Sequence, residues 1–170
     1  MAPIADAPRS LAALLLLSLC LGSNTGSAAP ALPALGADLK ELTVSGVSSG
    51  AYMAVQFEVA HSKLVRGAGV LAGGPYYCAE GSTWRALSRC MSPSSWAPLP
   101  TVAALRTGAE AIARAGRIDP LEHLRDDRVW LLSGGNDETV DTAVVESLAA
   151  FYGEWLAPAA IRFLKVPEAA

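Results

Sequence analysis

The chain is short of net charge, of histidine and of cysteine, and each shortage excludes something. Its 13 Lys and Arg stand against 16 Asp and Glu, a formal net charge of -3 over 170 residues. No Lys/Arg cluster reverses that balance locally, so there is no basic footprint for a polyanion and nucleic acid is not an expected partner. The three cysteines and two histidines do not fall at zinc-ligand spacing, so neither a metal site nor a cofactor is expected. Internal repeats, low-complexity tracts and a second domain are also missing. At 52% hydrophobic residues the chain can bury one sizeable core.

Long apolar runs are absent except at the start. Arg9 precedes an uncharged run from Leu11 to Leu21, too short to span a bilayer as a helix but of the length of a signal-peptide core. Gly26-Ser27-Ala28 before Ala29 offers the small residues of a cleavage site. Residues 1–28 therefore read as an export signal, which predicts a secreted or periplasmic protein. A lipid anchor on Cys20 is disfavoured because Leu19 is bulky where such a signal wants a small residue, and no stable membrane anchor is expected. Export leaves two cysteines, Cys78 and Cys90, and an even count outside the cytoplasm favours a disulfide between them. Two free thiols packed as small hydrophobes are the alternative.

What the chain does have is Gly46-Val47-Ser48-Ser49-Gly50. An apolar run, Leu39 to Val44, reads as a strand just before it, and Ala51 to His61 has helical spacing with Met53, Val55 and Val59 for burial. Strand, tight glycine-flanked turn around a serine, then helix is the context of a nucleophile elbow, with Ser48 at its tip. Further along, Val65 to Ala72 reads as a buried strand. Tyr76 to Pro100 reads as an ordered excursion holding both cysteines and the aromatics Tyr76, Tyr77, Trp84 and Trp96. A helix over Thr101–Ala115, a turn around Pro120 and a strand over Val129–Leu132 follow. A loop from Ser133 to Val140, a helix over Asp141–Leu156 and a strand over Ile161–Val166 complete the pattern. Alternating strands and helices predict an α/β fold with a mostly parallel sheet and helices on both faces.

Ligands of such sheets sit beyond the carboxyl ends of the strands, where Ser48 and the 133–140 loop both fall. Asp137 is the candidate acid of a serine–acid–histidine triad, with Asp141 second because it stands where a helix start would use it as a cap. A turn residue bonding its own backbone is the structural alternative for Asp137. The Ser49 amide is the candidate first oxyanion donor. Neither histidine fits the role of base. His61 is thirteen positions along the helix from Ser48, about 20 Å at 1.5 Å per residue. His123 precedes the strand whose far end carries Asp137.

Three ordered segments, Gly46 to Gln56, Ala72 to Cys78 and Leu132 to Val140, resemble the poly(3-hydroxybutyrate) depolymerases, over about Leu39 to Val166. The resemblance implies a circularly permuted and here incomplete α/β-hydrolase domain over residues 29–170. It also implies Ser48 as nucleophile and Asp137 as acid, with a Gly-His segment following a strand like Ile161–Val166. The chain has Pro167-Glu168-Ala169-Ala170 there, which reads as a C-terminal truncation. The implied reaction is ester hydrolysis on a polyester or oligoester, with the excursion's aromatics available to line an apolar groove. An esterase on small or plant-derived esters, and a non-catalytic fragment lacking the triad histidine, are the other readings carried forward.

Overall fold

Parallel strands in unbroken sequence order make up the sheet, β1-β2-β3-β4. The computed structural model describes residues 30–169. The export leader lies outside them. Residues 30–36 carry no regular secondary structure, and residues 37–169 form a compact unit. Its elements are β1 (Leu42–Val47), α1 (Ser49–Ala60), β2 (Val65–Leu71), α2 (Thr83–Arg89), α3 (Val102–Arg114), β3 (Arg128–Gly134), α4 (Thr142–Tyr152) and β4 (Ile161–Val166). Among the described residues no helix is long and apolar enough to cross a membrane.

Local chemistry sets the boundaries, and it corrects two of the expected ones. Leu39–Glu41 is a 3-10 turn rather than the start of a strand, because Asp38 caps it by accepting the Lys40 amide at 2.9 Å. The strand begins at Leu42 and runs straight into the serine. Pro120 stands just before a 3-10 turn, Leu121–Asp126, not inside it. Thr101 caps α3 through the Ala104 amide at 3.2 Å, and Ser82 caps the short α2, which the excursion's composition did not announce, through Arg85 at 3.3 Å.

Cross-strand register sorts the sheet into two faces. Val44, Ala68, Val129 and Ile161 form one row, and Gly46, Val70, Leu131 and Phe163 the next. These rows face the core, where Ala68, Val70, Val129 and Leu131 are buried. The alternate rows, Ser45–Gly69–Trp130–Arg162 and Val47–Leu71–Leu132–Leu164, lie on the other face, where Val47 is 62% exposed and Leu164 40%. The expected cover on both faces is thus found on one among the described residues. Right-handed crossovers between strands taken in strict sequence order all lead to the same side. So α1 packs on β1 and β2, α4 on β3 and β4, and α3 on α4.

The elbow's two glycines are not equivalent. A Cβ on Gly46 would land inside the Gly50 carbonyl and 2.6 Å from the Ala51 nitrogen, whereas nothing lies within 4 Å of a Cβ on Gly50. Gly46→Ala is therefore expected to destabilise the fold by about 3 kcal/mol, and Gly50→Ala to be neutral or slightly stabilising in its helix. Urea unfolding of the two variants separates them, and equal midpoints would show that the close approach at Gly46 carries no cost.

Candidate active site

Ser48 stands between the end of β1 and the start of α1 with φ 53° and ψ -122°. That is a strained backbone for a residue with a side chain, and it is held by its neighbours. Its amide donates to the Leu71 carbonyl at 2.9 Å, and its carbonyl accepts from the Tyr52 amide at 3.0 Å. Strain of this kind persists only where the surroundings over-determine it. Ser49 opens α1, so its amide belongs to the group at a helix start that has no intrahelical acceptor.

The serine opens into a cavity of about 420 Å³ with two walls. One is a face of α1 carrying Ser49, Tyr52, Met53 and Gln56; the other is the excursion, with Tyr77, Cys78, Ala79, Glu80, Cys90 and Met91. Cys78 and Cys90 form a disulfide, with Cα atoms 6.0 Å apart. Of the four aromatics expected to line a groove, Tyr77 does so. Tyr76 is buried in the core, while Trp84 and Trp96 pair with each other at 6.3 Å, 67% and 70% exposed, away from the cavity lining. The sequence reading also missed Tyr52 and Gln56. Their spacing from Ser48, four and eight positions along one helix face, was the available signal.

Asp137 lies in the loop after β3. Its Oδ1 accepts the amides of Thr139 at 2.8 Å and Val140 at 2.9 Å, so it does act on its own turn. Oδ2 takes no hydrogen bond among the described residues. A carboxylate fixed through one oxygen, with the other available, is also how a triad acid is oriented. Its charge is felt at the cavity wall: burial first, and Asp137 second, push the Tyr52 hydroxyl well above the ordinary phenol range. The second-choice acid, Asp141, caps α4 by accepting the Ala143 amide at 2.8 Å. The segment leaving β4 lies against the acid loop, with the Asn136 amide donating to the Ala169 carbonyl at 2.8 Å.

Both histidines are elsewhere. His61 ends α1, its ring 4.6 Å from Phe57, a helix length away from Ser48. His123 sits in the 3-10 turn at the amino end of β3. Among the described residues no three His, Cys, Asp or Glu side chains converge as a metal site.

Elbow, apolar cavity and acid loop fall in chain order on a parallel sheet, and two curated proteins share that order of sequence. The poly(3-hydroxybutyrate) depolymerase of Delftia acidovorans is 43% identical over 158 residues, 92% of this chain and 31% of that protein. The polyhydroxybutyrate depolymerase of Talaromyces funiculosus is 33% identical over 129 residues, 75% of this chain and 36% of that protein. The chain is related to the polyhydroxybutyrate depolymerases. It spans about a third of the length of these curated relatives. Two solved depolymerase structures agree in fold, each with a TM-score of 0.67 over 79% of this chain and 40% of theirs. One is the PHB depolymerase from Penicillium funiculosum, 29% identical. The other is a serine-to-alanine variant of a PHB depolymerase complexed with an R3HB trimer, 28% identical. No protein-family model matches the chain. The depolymerase relationship establishes the α/β-hydrolase type of the sheet and its serine-ester-hydrolase kinship.

Proposed function

We propose that Ser48 is the nucleophile of a polyester-hydrolysing site, with Asp137 as the acid and the Ser49 amide as first oxyanion donor, acting on poly(3-hydroxybutyrate) or its oligomers. The observation that carries this is the strained Ser48 backbone at the tip of a strand–turn–helix, opening into an apolar cavity. In the reaction Ser48 Oγ attacks the ester carbonyl and a base takes its proton. The developing oxyanion falls to the amide at the start of α1, and water then releases the acyl group as a 3-hydroxy acid or oligomer. The serine-to-alanine variant of a relative with a hydroxybutyrate trimer bound supports the substrate class. The leader supports a site of action outside the cytoplasm, secreted or periplasmic.

Turnover by a protein carrying this chain tests the reading. Hydroxybutyrate trimer should be cleaved at least tenfold more efficiently than 4-nitrophenyl acetate of comparable concentration. Efficient cleavage of the aryl ester with an intact trimer would transfer the site to small esters, and no cleavage of either would make it a non-catalytic fold.

The disulfide makes a smaller, separate prediction. Replacing both Cys78 and Cys90 by serine should lower stability by about 2–3 kcal/mol, as expected for closing a loop of this length. A thermal melt with and without the bond measures it.

A further inference from the structure

The excursion wall is held against its own backbone preference. Tyr77 has φ 56° and Glu80 φ 49°, left-handed values that residues with a Cβ rarely adopt, and Gly81 follows at 75°. Such a segment keeps its shape only through ties to its surroundings. Beyond the disulfide, three stand out. The Tyr77 amide donates to Gln56 Oε1 at 3.2 Å, the Tyr52 hydroxyl donates to the Cys90 carbonyl, and the Asp141 amide donates to the Met91 carbonyl at 2.9 Å. Two of the three come from α1, the helix that begins at the elbow. The third comes from the cap of α4, directly after the acid loop.

Tyr52 is the centre of this arrangement. Its ring lies so close over Gly74 that a Cβ there would meet Tyr52 Cε1 at 2.6 Å and Val144 Cγ1 at 2.8 Å. The ring is thus wedged between the β2 loop and the cavity, with little freedom to turn. Its hydroxyl reaches across to the residue that closes the disulfide loop.

We propose that Tyr52 is a positioning residue of the Ser48 cavity: by donating to the Cys90 carbonyl it locks the disulfide-bearing wall onto the elbow helix and sets the width of the apolar channel that an ester chain must enter. The proposal rests on the reading of this cavity as the ester-binding site. Because Cys90 is followed by Met91, whose carbonyl takes the Asp141 amide, the same clasp fixes the wall relative to the acid loop. A buried, neutral hydroxyl suits the task, since it can only donate to a carbonyl while it keeps its proton.

Tyr52→Phe keeps the ring in its slot and removes only the donor, and two measurements on the full chain read the effect. Amide hydrogen exchange across residues 77–91 should quicken at least tenfold while β1–β3 exchange as before. The dissociation constant for hydroxybutyrate trimer, followed by tryptophan fluorescence, should rise about tenfold. In a variant with Cys78 and Cys90 both replaced by serine, adding Tyr52→Phe should change that constant by less than twofold, because the wall is already loose. Unchanged exchange in the wall, or trimer affinity within twofold of the parent, overturns the proposal. If the parent chain binds no trimer, the substrate reading fails instead, and the exchange measurement still decides the clasp.

Discussion

Ser48→Ala is expected to remove ester hydrolysis altogether, a fall on the order of 10⁶ in kcat, while the melting temperature stays put. Alanine brings a Cβ to the same place at the same φ of 53°, so the elbow's strain, and whatever fixes it, is unchanged. What disappears is the hydroxyl facing the cavity. The same arithmetic applies to the base, because losing either the serine or the histidine of a triad alone removes about as much catalysis as losing both. The chain has two histidines, His61 and His123, and both sit towards the amino ends of the strands. The 170-residue chain by itself is therefore expected to hydrolyse trimer more slowly than a depolymerase with a complete triad, also by about 10⁶. Ordinary turnover by this chain, abolished by Ser48→Ala, would mean that a group other than histidine serves as base. Ordinary turnover that survives Ser48→Ala would remove the elbow from the chemistry.

The site was legible in the sequence where its signals are local. A nucleophile elbow is written in five consecutive residues, and Asp137 stands in a glycine-rich loop between a strand and an amphipathic helix, so both could be placed before any fold was known. Element positions were legible for the same reason, since helical and strand periods need only a dozen residues to show. Features that depend on distant partners were not. Which face of the sheet the helices cover follows from strand order, and no local pattern encodes that. Tyr52 looked like one more apolar position on a buried helix; its partner, Cys90, is 38 residues away. Glu58 was invisible in another way. It occupies a position of α1 that periodicity assigns to the buried face, and a charged residue there reads as an exception at the edge rather than as part of the core.

Raising the pH is expected to weaken the fold through that same Glu58. Its side chain is fully buried and accepts a hydrogen bond from the Tyr152 hydroxyl at the end of α4, while Oε1 has no partner. Burial, with a smaller contribution from Asp127 and against the opposing effect of the Tyr152 bond, pushes its carboxyl up to about 8. Asp127, shielded from solvent with both oxygens unpartnered, is raised to about 7, by burial chiefly; Arg66 opposes the shift and Asp126 adds to it. A folded-state value above the unfolded one means that the native protein holds its proton where the unfolded chain has lost it. The stabilisation is complete below about pH 4.5, is lost steadily as pH rises towards 8, and changes no further beyond. At roughly 1.4 kcal/mol per unit the loss amounts to a few kcal/mol from Glu58 alone. Glu58→Gln keeps an oxygen for the Tyr152 hydroxyl and cannot ionise, so its urea midpoint should vary less with pH. It should lie close to the parent at pH 5 and exceed it by about 2 kcal/mol at pH 9. Glu58→Ala should instead be weaker than the parent at pH 5, because it strands the Tyr152 hydroxyl and opens a void. Parallel pH profiles for the parent and the glutamine variant would show that Glu58 ionises without strain in the native core. The position matters beyond stability, since the Glu58–Tyr152 bond joins the far ends of the two helices whose near ends carry Ser48 and the acid loop.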